Sequence, residues 1–590
     1  SWFELNVDDD RERLYMIELL RRFGGKFRRY MVIGPACKLI EVIFDLLTPL
    51  VIAQMIDKGI GAHDVNAVVH YGMVLGAMAV IGISFTLVCQ KMAALTSQGM
   101  GTDIRGALYQ HINKLSYAEL DRFGTPSLIT RITNDVNQVQ LAVALGVRML
   151  IRWPFLAAGS MVAALAIDLK LGIIFLICTP AIGLVFWVVM ARCIPYYKQL
   201  QAKLDRIALI CREGLSGARV VRAFVREDHE RERFAQAADD QANTAIAVGK
   251  LSSILNPVTF LVMNLGVCAI LWVGGIQVNV GELTQGQVMA FVNYMTQTLT
   301  SIVYVANLVV VFTKSSASAS RINEVLNCVP SITDEGNQPV ALPEPGNVAP
   351  VPALSFDHAS FSFGVGAANA VSDVTLELPL GKTLGIIGGT GSGKSTLVNL
   401  LMGSSNDYQG SIRFDQRELR SIAAESLYGL VSVVQQNVFI FDDTIRNNIT
   451  MFRHFDEKLV QQATEKAGLT PLLAERGEDY ICGEGGSGLS GGERQRISIA
   501  RCLLRQTPVL LIDEATAALD AATAYSVSAA ILAIEGLTRI VVTHRLEEPL
   551  LRKYDEILVL KNGEICERGS FDALMARREQ FYSLFNVANG

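Results

Sequence analysis

The 590 residues are enough for several domains. Half are hydrophobic, only 18% are charged and mean hydropathy is +0.33, which is too apolar for an ordinary soluble protein and points to a membrane part. A net charge of −5 without any basic tract excludes a nucleic-acid-binding surface, and ten scattered cysteines with no C-x-x-C pair argue against a disulfide framework or zinc site.

The chain opens at Ser1, and residues 11–30 are charged and amphipathic without the apolar core of a signal peptide. Residues 1–30 read as a helix on the membrane surface, with Arg21, Arg22, Lys26, Arg28 and Arg29 toward headgroups; a solvated soluble helix is the competing reading. Six apolar stretches follow at 31–56, 71–95, 147–167, 171–194, 254–276 and 288–312. Each is long enough for a hydrocarbon core that needs about 20 residues. The connections 57–70, 168–170 and 277–286 are short and carry only Lys58 and Lys170. The connections 96–146 and 195–253 are long, helical in pattern and rich in Lys and Arg, among them Arg105, Lys114, Arg122, Arg131, Lys198, Lys203 and Arg206. That bias places the long loops, and with six crossings both termini, in the cytoplasm.

Lys38, Glu41 and Asp45 lie at i, i+3 and i+7 of the first stretch and share one helix face. Charge at that depth faces a bundle interior or a water-filled cavity. Two readings satisfy the rule: a cavity wall that touches substrate, or a Lys38–Glu41 pair locked to a neighbouring helix.

Ser315, Ser316, Ser318 and Ser320 keep helical spacing to about residue 328, after which Pro330, Pro339, Pro343, Pro345, Pro350 and Pro352 mark a linker. The expected organisation is therefore 1–30 interfacial helix, 31–328 membrane domain, 329–352 linker and 353–590 second domain. Within the last, 354–363 and 374–380 read as strands. Residues 384–396 (LGIIGGTGSGKST) run from apolar strand through glycine-rich loop to helix, and Gly388, Gly393, Lys394 and Ser395 fit the P-loop pattern. Such glycines let backbone N–H groups curl around phosphate oxygens, Lys394 is placed to reach the β- and γ-phosphates, and Ser395 to ligate Mg²⁺. Further on come strand 431–434 ending at Gln435 and Gln436, the stretch 488–496 (GLSGGERQR), the buried strand and carboxylates of 509–514 (VLLIDE), Asp520, and 540–545 (IVVTHR).

In this order the motifs resemble those of ATP-binding-cassette (ABC) exporters, and nearly the whole chain is similar to a half-transporter of that family. The stretches 123–135 and 213–227 look like the family's first and second intracellular loops, which end in coupling helices. The resemblance implies a membrane α-helical bundle of six transmembrane helices (the type I exporter, or type IV ABC, fold) followed by an α/β P-loop nucleotide-binding domain. It implies ATP and Mg²⁺ as cofactors. Gly388, Gly389, Thr390, Gly391, Ser392, Gly393, Lys394, Ser395 and Thr396 would hold the phosphates. Phe363 would stack on adenine where the family commonly has tyrosine, with Phe361 competing for the role. Gln436 would touch Mg²⁺ or the attacking water, although Gln435 stands where proline is common. Asp513 would hold Mg²⁺ through water, Glu514 would act as general base, and His544 would bond the γ-phosphate. Ser490, Gly491 and Gly492 would reach the γ-phosphate bound by an opposing domain, and Asp520 belongs to the same nucleotide-contacting set.

Because phosphate loop and signature face different interfaces in that family, the resemblance implies a head-to-tail pair of chains in a lipid bilayer. A second, paralogous half-transporter is expected ahead of self-pairing, although the catalytic set here is complete. The expected function is ATP-driven export of a drug, lipid or peptide-like substrate across a bacterial cytoplasmic membrane. Import of a metal chelate and an ATP-gated channel or regulatory module remain as alternatives. The absence of a peptidase-like domain before residue 31 speaks against a cargo-cleaving peptide exporter.

Overall fold

The computed structural model describes residues 15–331, 352–363, 368–414 and 416–589. The start of the expected interfacial helix and most of the proline-rich linker lie outside them. Two compact units result: one holds residues up to Asn113 together with Thr125–Cys328, the other Lys114–Gly124 together with the residues from Val329 onward.

The first unit is helical. Its long elements are α1 (Arg28–Met55), α2 (Val65–Ile112), α3 (Val136–Met149), α4 (Arg152–Ile167), α5 (Leu169–Ser216), α6 (Glu227–Ser253), α7 (Leu255–Val280) and α8 (Gln285–Leu326). Grouped into continuous runs, six among the described residues are long and apolar enough to cross a membrane. Their starts are written in the short connections. Asp64 accepts from the backbone N–H groups of Asn66 and Ala67 and so caps α2; Asp168 accepts from Leu171 N–H and caps α5; Thr284 and Gln287 form a reciprocal capping box at α8. Both α2 and α5 have 48 residues. At about 1.5 Å per residue each spans about 72 Å, more than twice a hydrocarbon core of about 30 Å. The charged connections expected at 96–146 and 195–253 are thus largely continuations of the spanning helices.

Large side chains fill the bundle: Phe175, Ile270, Phe291, Tyr294 and Met295 form one buried cluster. The Tyr294 hydroxyl donates to the Leu46 carbonyl oxygen at 2.6 Å, tying α8 to α1. At Gly286 a Cβ would fall 2.2 Å from the Ala53 carbonyl oxygen, so only glycine permits that approach of α8 to α1.

The charged face of α1 is paired throughout. Lys38 Nζ lies 2.5 Å from Glu41 Oε2, and Glu41 also accepts from the Thr86 hydroxyl and the Arg152 guanidinium. Arg152 bridges on to Asp45 Oδ2 at 3.1 Å. It also lies over the Trp153 ring, which stacks on Tyr304 with centroids 4.1 Å apart. Two cations and two carboxylates thus pair across α1, α2 and α4, as the second of the two readings requires, although the buried Arg152 Nε has no hydrogen-bond partner. Removing one partner strands a buried charge, at a typical cost of about 3 kcal/mol. Arg152→Met is therefore expected to lower the thermal unfolding midpoint of the purified protein in detergent; an unchanged midpoint would show that the network does not hold the bundle.

The second unit carries two sheets. Strands β1 (Pro352–Phe361), β2 (Val371–Pro379), β4 (Gln409–Phe414) and β5 (Arg417–Glu418) form an antiparallel sheet in the order β2-β1-β4-β5. The other contains β3 (Thr383–Gly388), β6 (Val431–Val434), β7 (Val509–Asp513), β8 (Thr538–Val542), β9 (Glu556–Lys561) and β10 (Glu564–Gly569) in the order β10-β9-β3-β8-β7-β6. It is parallel except for β10. β3, β7 and β9 read as nearly unbroken apolar runs because both faces of the sheet are covered. The segment Tyr117–Phe123, a short helix within the first long connection, belongs to this unit and not to the bundle.

Candidate functional site

The register of the parallel sheet builds the site. Ile386 pairs with Val542 and Val542 with Asp513, so β3, β8 and β7 end side by side. Their carboxyl ends lead into the phosphate loop, His544 and Glu514, at the edge where open α/β sheets bind ligands. β6, next to β7, delivers Gln436 to the same edge.

The phosphate loop runs from Gly388 to α9 (Lys394–Leu401). Gly391 and Gly393 have φ of 77° and 99°, conformations that disfavour a side chain. A Cβ on Gly388 would lie 2.4 Å from the Leu560 carbonyl oxygen. Lys394 is buried and folds onto its own loop, donating to the carbonyls of Gly388 at 3.0 Å and Gly389 at 2.9 Å. Burial lowers its pKa. The Ser392 hydroxyl is buried without a hydrogen-bond partner. A cation, an unpartnered hydroxyl and a helix N-terminus converge here, as phosphate oxygens require.

Ser395 donates to Asp513 Oδ1 at 3.2 Å. Burial raises the Asp513 pKa, with the Ser395 hydrogen bond acting against it. Hydroxyl and carboxylate are the hard oxygen donors Mg²⁺ takes, alongside water and phosphate. No cluster of three His, Cys, Asp or Glu side chains able to hold a metal occurs among the described residues, so these groups fit a shared site better than an all-protein cage.

Glu514 draws two other expected residues to itself. Gln436 Nε2 donates to its Oε2 at 2.8 Å, and His544 Nε2 lies against its Oε1. Glu514 has φ of 50°, and its N–H is held by the Val542 carbonyl oxygen at 3.1 Å. That uncommon backbone aims the carboxylate at the strand ends.

Phe361 is buried in the core, whereas Phe363 lies beyond the end of β1, is 77% exposed and meets Phe361 edge-on at 5.1 Å. Only Phe363 offers a free ring face. It lines a cleft of about 680 Å³ with Asn369, Thr396 and Gln435, and with Tyr117 and Asp121 of the first connection. Tyr117 and Asp121 had no sequence signal toward this cleft.

Ser490 and Glu493 form the capping box of α10 (Gly491–Leu504): Glu493 N–H donates to Ser490 Oγ at 3.3 Å and Ser490 N–H to Glu493 at 2.7 Å. The helix packs closely on the segment before Asp520, where a Cβ on Gly492 would come within 3.1 Å of Leu519. The Ala518 N–H donates to Gln495 at 3.0 Å. Asp520 caps α11 (Ala521–Leu532) through the Thr523 N–H at 3.0 Å. That bond lowers its pKa. The hydrogen bonds of Ser490 and Asp520 among the described residues are local to their helices, and none of them reaches the phosphate loop.

Residues 31–302 match the family model of the ABC transporter transmembrane region, and residues 371–517 that of the ABC transporter. The chain is 32% identical to the ABC transporter ATP-binding protein YfiB of Bacillus subtilis over 94% of this chain and 95% of the relative. It is 31% identical to an ATP-dependent lipid A-core flippase of Desulfotalea psychrophila over 83% and 85% of the two chains. The solved structure of a bacterial Atm1-family ABC exporter with ATP bound superposes with a TM-score of 0.77, at 21% identity, covering 97% of this chain and 99% of that one.

Glu514→Gln is expected to lower ATP turnover at least about a hundredfold, the scale of a lost general base, while ATP affinity holds. Turnover and nucleotide binding measured side by side check this, and equal turnover would remove Glu514 from the role. Lys394→Ala is expected to abolish ATP binding with membrane insertion unchanged; nucleotide binding at wild-type strength would contradict it.

Proposed function

This chain belongs to the ABC transporter family, as an ATP-hydrolysing integral membrane protein of the exporter type, and we propose that it is one half of a two-chain machine that exports a lipid-like amphiphile by alternating access. The observation that carries this is the gathering of Gln436, Glu514 and His544 beside the phosphate loop of a chain with six apolar helices. The lipid A-core flippases among its relatives favour a lipid-like cargo.

In this reading ATP lies along the loop 388–396 with its adenine on Phe363. Lys394 exchanges the Gly388 and Gly389 carbonyls for phosphate oxygens. Ser395, Asp513 and Gln436 would hold Mg²⁺, which when bound would neutralise phosphate charge. Glu514 takes the proton of the attacking water as general base. It must first leave its contacts with Gln436 and His544. His544 then turns to the γ-phosphate. Ser490, Gly491 and Gly492 of a second chain complete the site, and nucleotide binding draws the two chains together. Asp520, already a helix cap, shapes that junction.

Exposed apolar side chains support assembly. Leu215, Val220, Phe224 and Val225 at the second long connection are each at least 60% exposed. Phe439, Phe441 and Phe452 form an exposed edge-on aromatic group in the nucleotide-binding unit. Tyr117 and Asp121 at the nucleotide cleft give the first connection a route to sense its occupancy.

We place the chain in the cytoplasmic membrane with its nucleotide-binding unit in the cytoplasm, paired with a paralogous half-transporter. Two measurements check the proposal. In vesicles with the nucleotide-binding units outward, ATP should drive a fluorescent lipid inward and Glu514→Gln should stop it; ATP-independent flux or the opposite polarity would contradict export. The chain expressed alone should be monomeric and poorly active by light scattering and ATPase assay, whereas a stable, hydrolysing dimer of twice 64.2 kDa would establish self-pairing.

A further inference from the structure

The loop that carries His544 is fixed from two sides. On one side the Arg545 guanidinium donates to the Leu519 carbonyl oxygen at 2.6 Å, next to the segment on which α10 packs. On the other, the Asn589 side-chain amide donates to the Leu546 carbonyl oxygen at 2.9 Å, two residues past His544. Asn589 lies in α12 (Gln580–Asn589), far from the nucleotide motifs in sequence.

Everything that holds α12 keeps that amide in register. At its start, the buried Glu567 carboxylate of β10 accepts from the backbone N–H groups of Gln580 and Phe581. A carboxylate at that end also suits the helix dipole. In its middle, Phe581 is fully buried and packs edge-on against Phe571 at 5.8 Å, while Phe585 meets Phe571 at 5.4 Å. The same cluster contains Leu546 and Ile387, the residue before Gly388 of the phosphate loop. At its end, Asn589 also donates to the Phe585 carbonyl oxygen at 3.0 Å, which orients its side chain.

We propose that α12 is a clamp on the His544 loop, and that Asn589 is a positioning residue for hydrolysis acting through His544. This rests on the role proposed above for His544. Asn589 is itself exposed at the end of its helix, and its single part-buried bond to Leu546 contributes only modestly to net stability. Its bond to Leu546 instead limits how far the loop carrying His544 can swing once the imidazole leaves Glu514. A small displacement of a catalytic group costs rate more than binding.

The test compares His544→Ala, Asn589→Asp, Asn589→Gln and the double variant His544→Ala/Asn589→Asp in the full transporter, reading kcat, KM for ATP and thermal midpoint. Asn589→Asp keeps the shape but replaces the donor with an acceptor. The clamp predicts kcat lower by about tenfold, within the range that misplacement produces, at unchanged KM and midpoint. Asn589→Gln, which keeps the amide, should retain most of the turnover, and the double variant should be no slower than His544→Ala alone. Wild-type kcat for Asn589→Asp, or the same fold-loss on the His544→Ala background, overturns the clamp while leaving the role of His544 standing. Wild-type kcat for His544→Ala overturns that role, and the clamp with it.

Discussion

Parallel pairing of β3, β8 and β7 is the constraint on which the nucleotide site depends. Ile386, Val542 and Asp513 occupy neighbouring rungs, so the residues that follow each strand must emerge together. Gly388, His544 and Glu514 are separated by more than a hundred residues at the widest, yet register alone brings them to one edge. Slipping one strand by one residue would turn its side chains to the other face and disperse the set. The apolar runs of β3 and β7 are what fix that register, because both faces are buried.

Glu514 uses this geometry. With both oxygens engaged by Gln436 and His544, the carboxylate is held by the groups that are proposed to leave it when nucleotide enters. Lys394 is likewise occupied by its own loop carbonyls. The Lys394, Ser395, Gln436 and His544 side chains thus have partners within the protein, whereas the buried Ser392 hydroxyl has none. Exchanging these internal contacts for contacts to ATP keeps the desolvation cost of the loop small in both states. The membrane unit applies the same rule: four charges on α1 and α4 neutralise one another inside the bundle.

Much of this was legible in the sequence because it is local. The phosphate loop and the carboxylates after β7 sit where their own neighbours dictate. The choice between Phe361 and Phe363 was not, because adjacent same-parity positions of a strand look alike until burial separates them. Arg152 was hidden inside an apolar stretch, and only the approach of α4 to α1 reveals it as partner to Glu41 and Asp45. The grouping of 114–124 with the nucleotide-binding unit and the reach of Asn589 to Leu546 are tertiary contacts with no periodic signal.

The claim at the centre of this account is that the site at the strand ends hydrolyses ATP only when a second chain completes it. Turnover per chain, measured over a dilution series that spans dissociation of the purified complex with mass followed by light scattering in the same samples, tests it most directly. The account predicts that turnover disappears together with the paired mass. Undiminished turnover per chain in samples that contain only 64.2 kDa monomers would contradict it.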